Sequence, residues 1–133
     1  MLRARQAPPP YRVDMSVAGH DLVGDEPPDN GGQNVGAAPF DYVLAGLAAC
    51  TLITLRMYAE RKNWAGFDIS AQLRHRVEDR VHQIQRDVEV SGVPDDAGLE
   101  RLRDIVERTP VTLALKPGFT ISTVIRQAAP GAA

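Results

Sequence analysis

From Pro39 to Trp64 the chain runs for 26 residues without a second proline, and between Val43 and Leu55 it carries no charge. A proline in the first helical turn loses no hydrogen bond, because its missing N–H would have no intrahelical partner there. The run therefore predicts one long helix. After Asp41 in the first turn its charged residues Arg56, Glu60, Arg61 and Lys62 come only in the last turns, and the apolar residues between Val43 and Leu55 surround the axis instead of forming one stripe. Such a helix is expected to be buried on most sides, and in a chain of 133 residues this points to a second subunit as part of the cover.

The flanking segments read as strands and one further helix. Residues 1–10 are expected to be a flexible N-terminus. Tyr11, Val13, Met15 and Val17 alternate up to a turn at Ala18-Gly19-His20-Asp21, and Leu22 and Val23 return as a hairpin. Asp25 to Ala38 is so dense in Pro, Gly, Asn and Asp that it must be a loop. Beyond the long helix, Phe67–Val77 and Val81–Val90 alternate on either side of Glu78-Asp79-Arg80 and predict an antiparallel hairpin. Pro94-Asp95-Asp96 supplies cap chemistry for a second helix, whose Leu99, Leu102, Ile105 and Val106 form one apolar stripe ending before Pro110. A last strand is expected over Phe119–Ile125, and residues 127–133 are expected to be a disordered tail. This order of elements argues for an α+β class with antiparallel sheet, because too few helices alternate with strands for a doubly wound fold.

Composition excludes several functions. With 15 basic and 17 acidic residues the formal charge is −2, which provides no cationic face for a nucleic acid. No stretch approaches the roughly 20 apolar residues of a membrane span, and no apolar run follows the positive N-terminus as in a leader. One cysteine and three scattered histidines offer no spacing for a zinc site and no internal disulfide. No metal or cofactor is expected, and the compartment is read as the reducing cytosol.

Few residues could carry chemistry. Cys50 lies in the middle of the long helix without CxxC spacing, and periodicity alone makes it a packing residue. Asp41 falls in the helix's first turn, where a carboxylate caps free amides. At about 100° per residue, the nine-residue separation puts Asp41 and Cys50 on opposite faces of one helix. Arg12, on an early strand, could stabilise a thiolate or simply be solvated. Gly31-Gly32-Gln33-Asn34-Val35-Gly36 precedes a helix but lacks a phosphate-loop pattern.

The run Asp25-Glu26-Pro27, Gly31-Gly32, and Gly36-Ala37-Ala38-Pro39-Phe40-Asp41-Tyr42-Val43-Leu44-Ala45-Gly46-Leu47-Ala48-Ala49-Cys50-Thr51 resembles the signature of the OsmC/Ohr family of thiol-dependent peroxide reductases. Continuation through Leu55 to Trp64 inclines the resemblance toward the OsmC-like branch, and it covers residues 11–126, the predicted domain. It implies an intertwined homodimer with two central helices packed on antiparallel sheets and active sites at the subunit interface. It further implies that Cys50 is the peroxidatic cysteine and that a resolving cysteine should stand where this chain has Thr109, in Glu107-Arg108-Thr109-Pro110-Val111.

A threonine cannot close a disulfide, so the implied function is reduction of organic hydroperoxides by a single cysteine, with an external thiol reductant completing the cycle. By the same resemblance Arg12 is the thiolate-stabilising arginine and Asp41 the carboxylate that orients it, while Phe40, Leu47 and Leu52 would line the substrate pocket. The competing expectation is a non-catalytic dimer of the same fold that binds a small apolar ligand or partner and keeps Cys50 for packing.

Overall fold

A computed structural model describes residues 1–129, so the last four residues of the expected tail, 130–133, lie outside the described residues. The chain forms β1 (Leu2–Gln6), β2 (Val13–Val17), β3 (His20–Gly24), α1 (Pro39–Arg61), β4 (Asp68–Glu78), β5 (Val81–Ser91), α2 (Asp96–Val106) and α3 (Pro110–Leu115). Two antiparallel sheets result, β1-β2-β3 and β4-β5. The α+β class read from the sequence is the one observed.

Both predicted hairpins close through two-residue turns whose backbone is left-handed. Ala18 and Gly19 have φ of 51° and 82°, and Asp79 and Arg80 have 50° and 67°. Positive φ at both central residues matches the right-handed twist of the flanking strands, which is why these tight turns set the registers Val17↔His20 and Glu78↔Val81. Residues 2–6, expected to be part of a flexible terminus, are instead β1, paired from Leu2↔Val17 to Gln6↔Val13. Their sequence, LRARQ, has little β character, and it is the free edge of β2 that recruits them.

The loop between β3 and α1 is built around one carboxylate. Asp25 is 3% exposed, and its oxygens accept hydrogen bonds from the N–H groups of Glu26 (2.8 Å), Gln33 (3.2 Å) and Val35 (3.1 Å). The Val35 N–H foremost holds this carboxyl below its ordinary range, with smaller help from the Glu26 and Gln33 amides and the charge of Arg12, against the opposing cost of burial. Glycine is required at Gly36, where a Cβ would sit 2.1 Å from the Val23 carbonyl oxygen. The Tyr42 hydroxyl donates to that same oxygen at 2.6 Å and ties the first turn of α1 to β3.

The helix α1 is the spine of the fold, packing on β4, α2 and α3. Leu47, Thr51, Leu55 and Ala59, spaced by four, form its buried stripe. Leu55, Ala59, Phe67 and Leu102 make the core, with Trp64, Ile69, Val88, Val90, Ile105 and Val106 around it. The sequence predicts cover on most sides; one chain covers one side. Phe40, Val43, Ile53 and Met57 stay exposed. A second expectation also changes, because an 18-residue window of α1 has mean hydropathy 1.5, long and apolar enough by composition to cross a membrane.

Toward the C-terminus Asp95 caps α2, its carboxylate accepting from the Gly98 N–H at 2.7 Å. Pro110 then opens the short α3, which the sequence reading left unassigned. The strand expected over Phe119–Ile125 is absent: the segment pairs with nothing among the described residues, and Phe119, Ile121, Val124 and Ile125 are exposed. Its β-rich composition is real, but a strand exists only by pairing its N–H and C=O groups with a neighbour.

Candidate active site

The site lies where the middle of α1 meets the start of α3. Cys50, the single cysteine of the chain, is half-buried. Its Sγ accepts the N–H of Val111 at 3.5 Å, and Thr54 Oγ1 lies one helical turn away at 3.9 Å. Val111 occupies the second position of α3, where a backbone N–H has no partner within its own helix. The sulfur takes the place of that partner.

Beside Cys50, three threonines and an arginine form one connected network. Thr51, Thr109 and Thr112 are 0%, 0% and 5% exposed. Arg86 Nη1 donates to Thr51 Oγ1 at 2.8 Å and to Thr112 Oγ1 at 2.9 Å, and its Nη2 donates to the Val106 carbonyl at 2.9 Å. The Thr51 hydroxyl donates to the Leu47 carbonyl at 2.7 Å, and the hydroxyls of Thr109 and Thr112 are 2.6 Å apart. One guanidinium from β5 thus joins α1, the end of α2 and the first turn of α3. No buried side-chain nitrogen or oxygen among the described residues is left without a partner.

Thr109, standing where the resemblance calls for the resolving cysteine, is the fully buried residue that immediately precedes α3, and its hydroxyl is already engaged with Thr112. Leu47 lines a cleft of about 390 Å³ together with His82, Ile84, Arg86, Glu107, Thr112, Leu115 and Lys116. Within it Lys116 bonds Glu107 at 2.8 Å and draws the Glu107 carboxyl below its ordinary range.

The other expected site residues are placed elsewhere. Arg12 bonds Asp14 at 3.0 Å ahead of β2, and no hydrogen bond joins it to Cys50 among the described residues. Asp41 accepts the Ala38 N–H at 3.1 Å; since alanine has no side-chain oxygen, this is the capping contact that the helix start retains. No arginine reaches Asp41 among the described hydrogen bonds. Phe40 does not line a pocket with Cys50: ten residues away on α1, its ring lies 4.1 Å from that of His75 and 5.1 Å from that of His82. Those imidazoles are themselves joined through His75 Nε2 and His82 Nδ1 at 2.8 Å. Leu52 is half-buried and lines none of the described cavities.

Sequence reasoning missed Arg86 and the amide of Val111. A signal for the first was present: Ile84, Arg86, Val88 and Val90 alternate along β5, so a cation occupies an apolar-face position, opposite Leu73. A backbone N–H leaves no trace in sequence.

Fold and site together define an α+β thiol protein whose single cysteine is held at a helix junction. The chain belongs to the OsmC-like protein family, whose match spans residues 31–124. Solved structures show the same fold. A protein of Psychrobacter arcticus 273-4, provisionally described as an osmotic stress induced and detoxification response protein, superimposes with a TM-score of 0.70 at 17% identity over 87% of this chain and 88% of its own. An OsmC-like protein of Mycoplasma pneumoniae gives 0.66 at 17% identity over 85% and 84%. The organic hydroperoxide resistance protein OsmC of Legionella pneumophila gives 0.61 at 17% identity over 87% and 88%. No curated protein sequence matches this chain. At 17% identity these likenesses are likenesses of fold.

Proposed function

We propose that this protein is a one-cysteine peroxidase that reduces organic hydroperoxides at the expense of an external thiol. The observation that carries the reading is the Val111 N–H directed at Cys50 Sγ, a fixed donor for anionic sulfur on a half-buried residue. The thiolate attacks the terminal, hydrogen-bearing oxygen of the hydroperoxide; an S–O bond forms, the O–O bond breaks, and the departing alkoxide takes a proton from solvent to become an alcohol. A first external thiol attacks the resulting sulfenic acid, forming a mixed disulfide and releasing water. A second thiol takes over that disulfide and restores Cys50, so each hydroperoxide consumes two thiols.

The exposed apolar stripe Val43, Ile53 and Met57 on α1 supports a homodimer in which this face meets a second copy, with the active sites near the contact. A reducing cytosol would supply the thiol. Arg12 and Asp41 enter this reading only through such a dimer, since within one chain each is engaged elsewhere.

A second reading is favoured by an apolar hollow of about 710 Å³ on the face of β1-β2-β3, walled by Leu2, Val13, Met15, Leu22 and Tyr42. There the protein would be a non-catalytic scaffold for a small apolar ligand. Consumption of an organic hydroperoxide by wild type and Cys50→Ser, with a monothiol and separately with a dithiol, separates the two. Turnover abolished by the substitution is expected of the peroxidase, and absence of turnover in both proteins would leave the scaffold.

A further inference from the structure

We infer that Arg86 is a positioning residue for Cys50: it straps the first turn of α3 to α1 and so keeps the Val111 N–H on the sulfur. The inference rests on the proposed thiol chemistry but concerns a residue that this chemistry does not itself require. Arg86 does not touch Cys50 in any described hydrogen bond. Instead it grips both immediate neighbours of the contact, Thr51, which follows Cys50, and Thr112, which follows Val111.

The shortness of α3 makes that junction dependent on such contacts. α3 has only six residues, and Thr109, at its N-cap position, makes no side-chain cap. A helix so short has little stability of its own, so its place depends on tertiary contacts. Thr112 is where those contacts converge, taking the guanidinium from one side and lying 2.6 Å from the Thr109 hydroxyl on the other. The planar fork of arginine can hold Thr51, Thr112 and the Val106 carbonyl at once; the ammonium of lysine, a point charge on a flexible stem, cannot reproduce that spacing. Thr109 also acquires a role here. At the position of the lost sulfur, its hydroxyl extends the strap.

The test compares Arg86→Lys, Arg86→Met and Thr112→Val with wild type by two readouts: the pH profile of Cys50 alkylation by iodoacetamide, and the rate of Cys50 oxidation by an organic hydroperoxide. Thr112→Val keeps the side-chain shape and the Arg86 charge while cutting the strap, so it carries the test if Arg86→Met does not fold. For Thr112→Val and Arg86→Lys we expect an alkylation profile displaced to higher pH and oxidation slowed about tenfold, the size of one weakened hydrogen bond to a charged group. Two results would overturn the inference: lowered melting temperatures with an unchanged alkylation profile, which make the network structural only, and wild-type behaviour of Arg86→Lys and Thr112→Val, which makes any Arg86→Met defect one of charge. The alkylation profile needs no peroxidase activity. A wild type that ignores hydroperoxides would therefore refute the proposed function without deciding the role of Arg86.

Discussion

The backbone N–H of Val111 meets the sulfur of Cys50 at 3.5 Å across a sequence separation of 61 residues. This contact makes the single cysteine of the chain part of a junction between two helices instead of a filler in one of them. Thr109, the position where the resemblance calls for a second cysteine, lies two residues before Val111 in the chain.

Restoring that sulfur gives the first prediction. In Thr109→Cys, one equivalent of hydroperoxide is expected to consume both thiols and leave an intramolecular disulfide, seen as a faster band on non-reducing electrophoresis. Wild type should instead yield a sulfenic acid that a dimedone probe captures. The variant loses the hydroxyl contact with Thr112, a cost of about 1 kcal/mol. Persistent capture by dimedone in Thr109→Cys would show that the two positions do not meet.

The core supplies the second. Leu55 is 1% exposed and packs with Ala59, Phe67 and Leu102, so Leu55→Ala should destabilise the protein by about 2–5 kcal/mol through lost burial and an unfilled cavity. Urea unfolding followed by circular dichroism measures it, at one fixed protein concentration because association would add to the apparent stability. A loss under about 1 kcal/mol would mean that this part of the core is not closely packed.

Asp25 makes stability depend on pH in a definite direction. Its carboxyl lies below the ordinary value in the folded protein, so the stability it contributes is present above the unfolded value of about 3.9 and is lost as pH falls through the lower folded value. In Asp25→Asn an amide NH₂ would face the N–H groups of Gln33 or Val35, donor against donor. Thermal melts from neutral pH down to strongly acid conditions should show a lower melting temperature for the variant near neutrality. The gap should close in acid as wild type gives up this contribution, and a constant gap across the range would contradict the assignment.

The exposed face of α1 supplies the fourth. Ile53 is 53% exposed in the single chain, and Ile53→Lys removes nothing from the core. If a second copy covers that face, the buried ammonium should split the dimer, and sedimentation should report half the wild-type mass with unchanged secondary structure. Equal masses for the two proteins would place any subunit contact elsewhere.

Local physical chemistry was sufficient for much of this molecule. The long helix opened by Pro39, the two hairpins, the loop Asp25–Ala38 and the Asp95-capped α2 all follow from periodicity, turn residues and capping groups, which act over a few positions and can be read in order along the chain. The family was legible too, through the motif around Cys50. Within one chain Phe40 stacks on the ring of His75 instead of lying beside Cys50, a placement that no local pattern in the sequence encodes.

What only the tertiary structure decided depends on pairing between distant segments. β1 exists because β2 offers an edge, and Phe119–Ile125 is not a strand because no edge in the described chain accepts it. Arg86 reads as one cation in an amphipathic strand until folding sets Thr51, Thr112 and the Val106 carbonyl around its guanidinium. A cysteine and its motif are properties of the sequence. The amide that meets its sulfur and the arginine that holds that amide's helix are properties of the packing, because a hydrogen bond is specified by where two groups end up and not by how far apart they were synthesised.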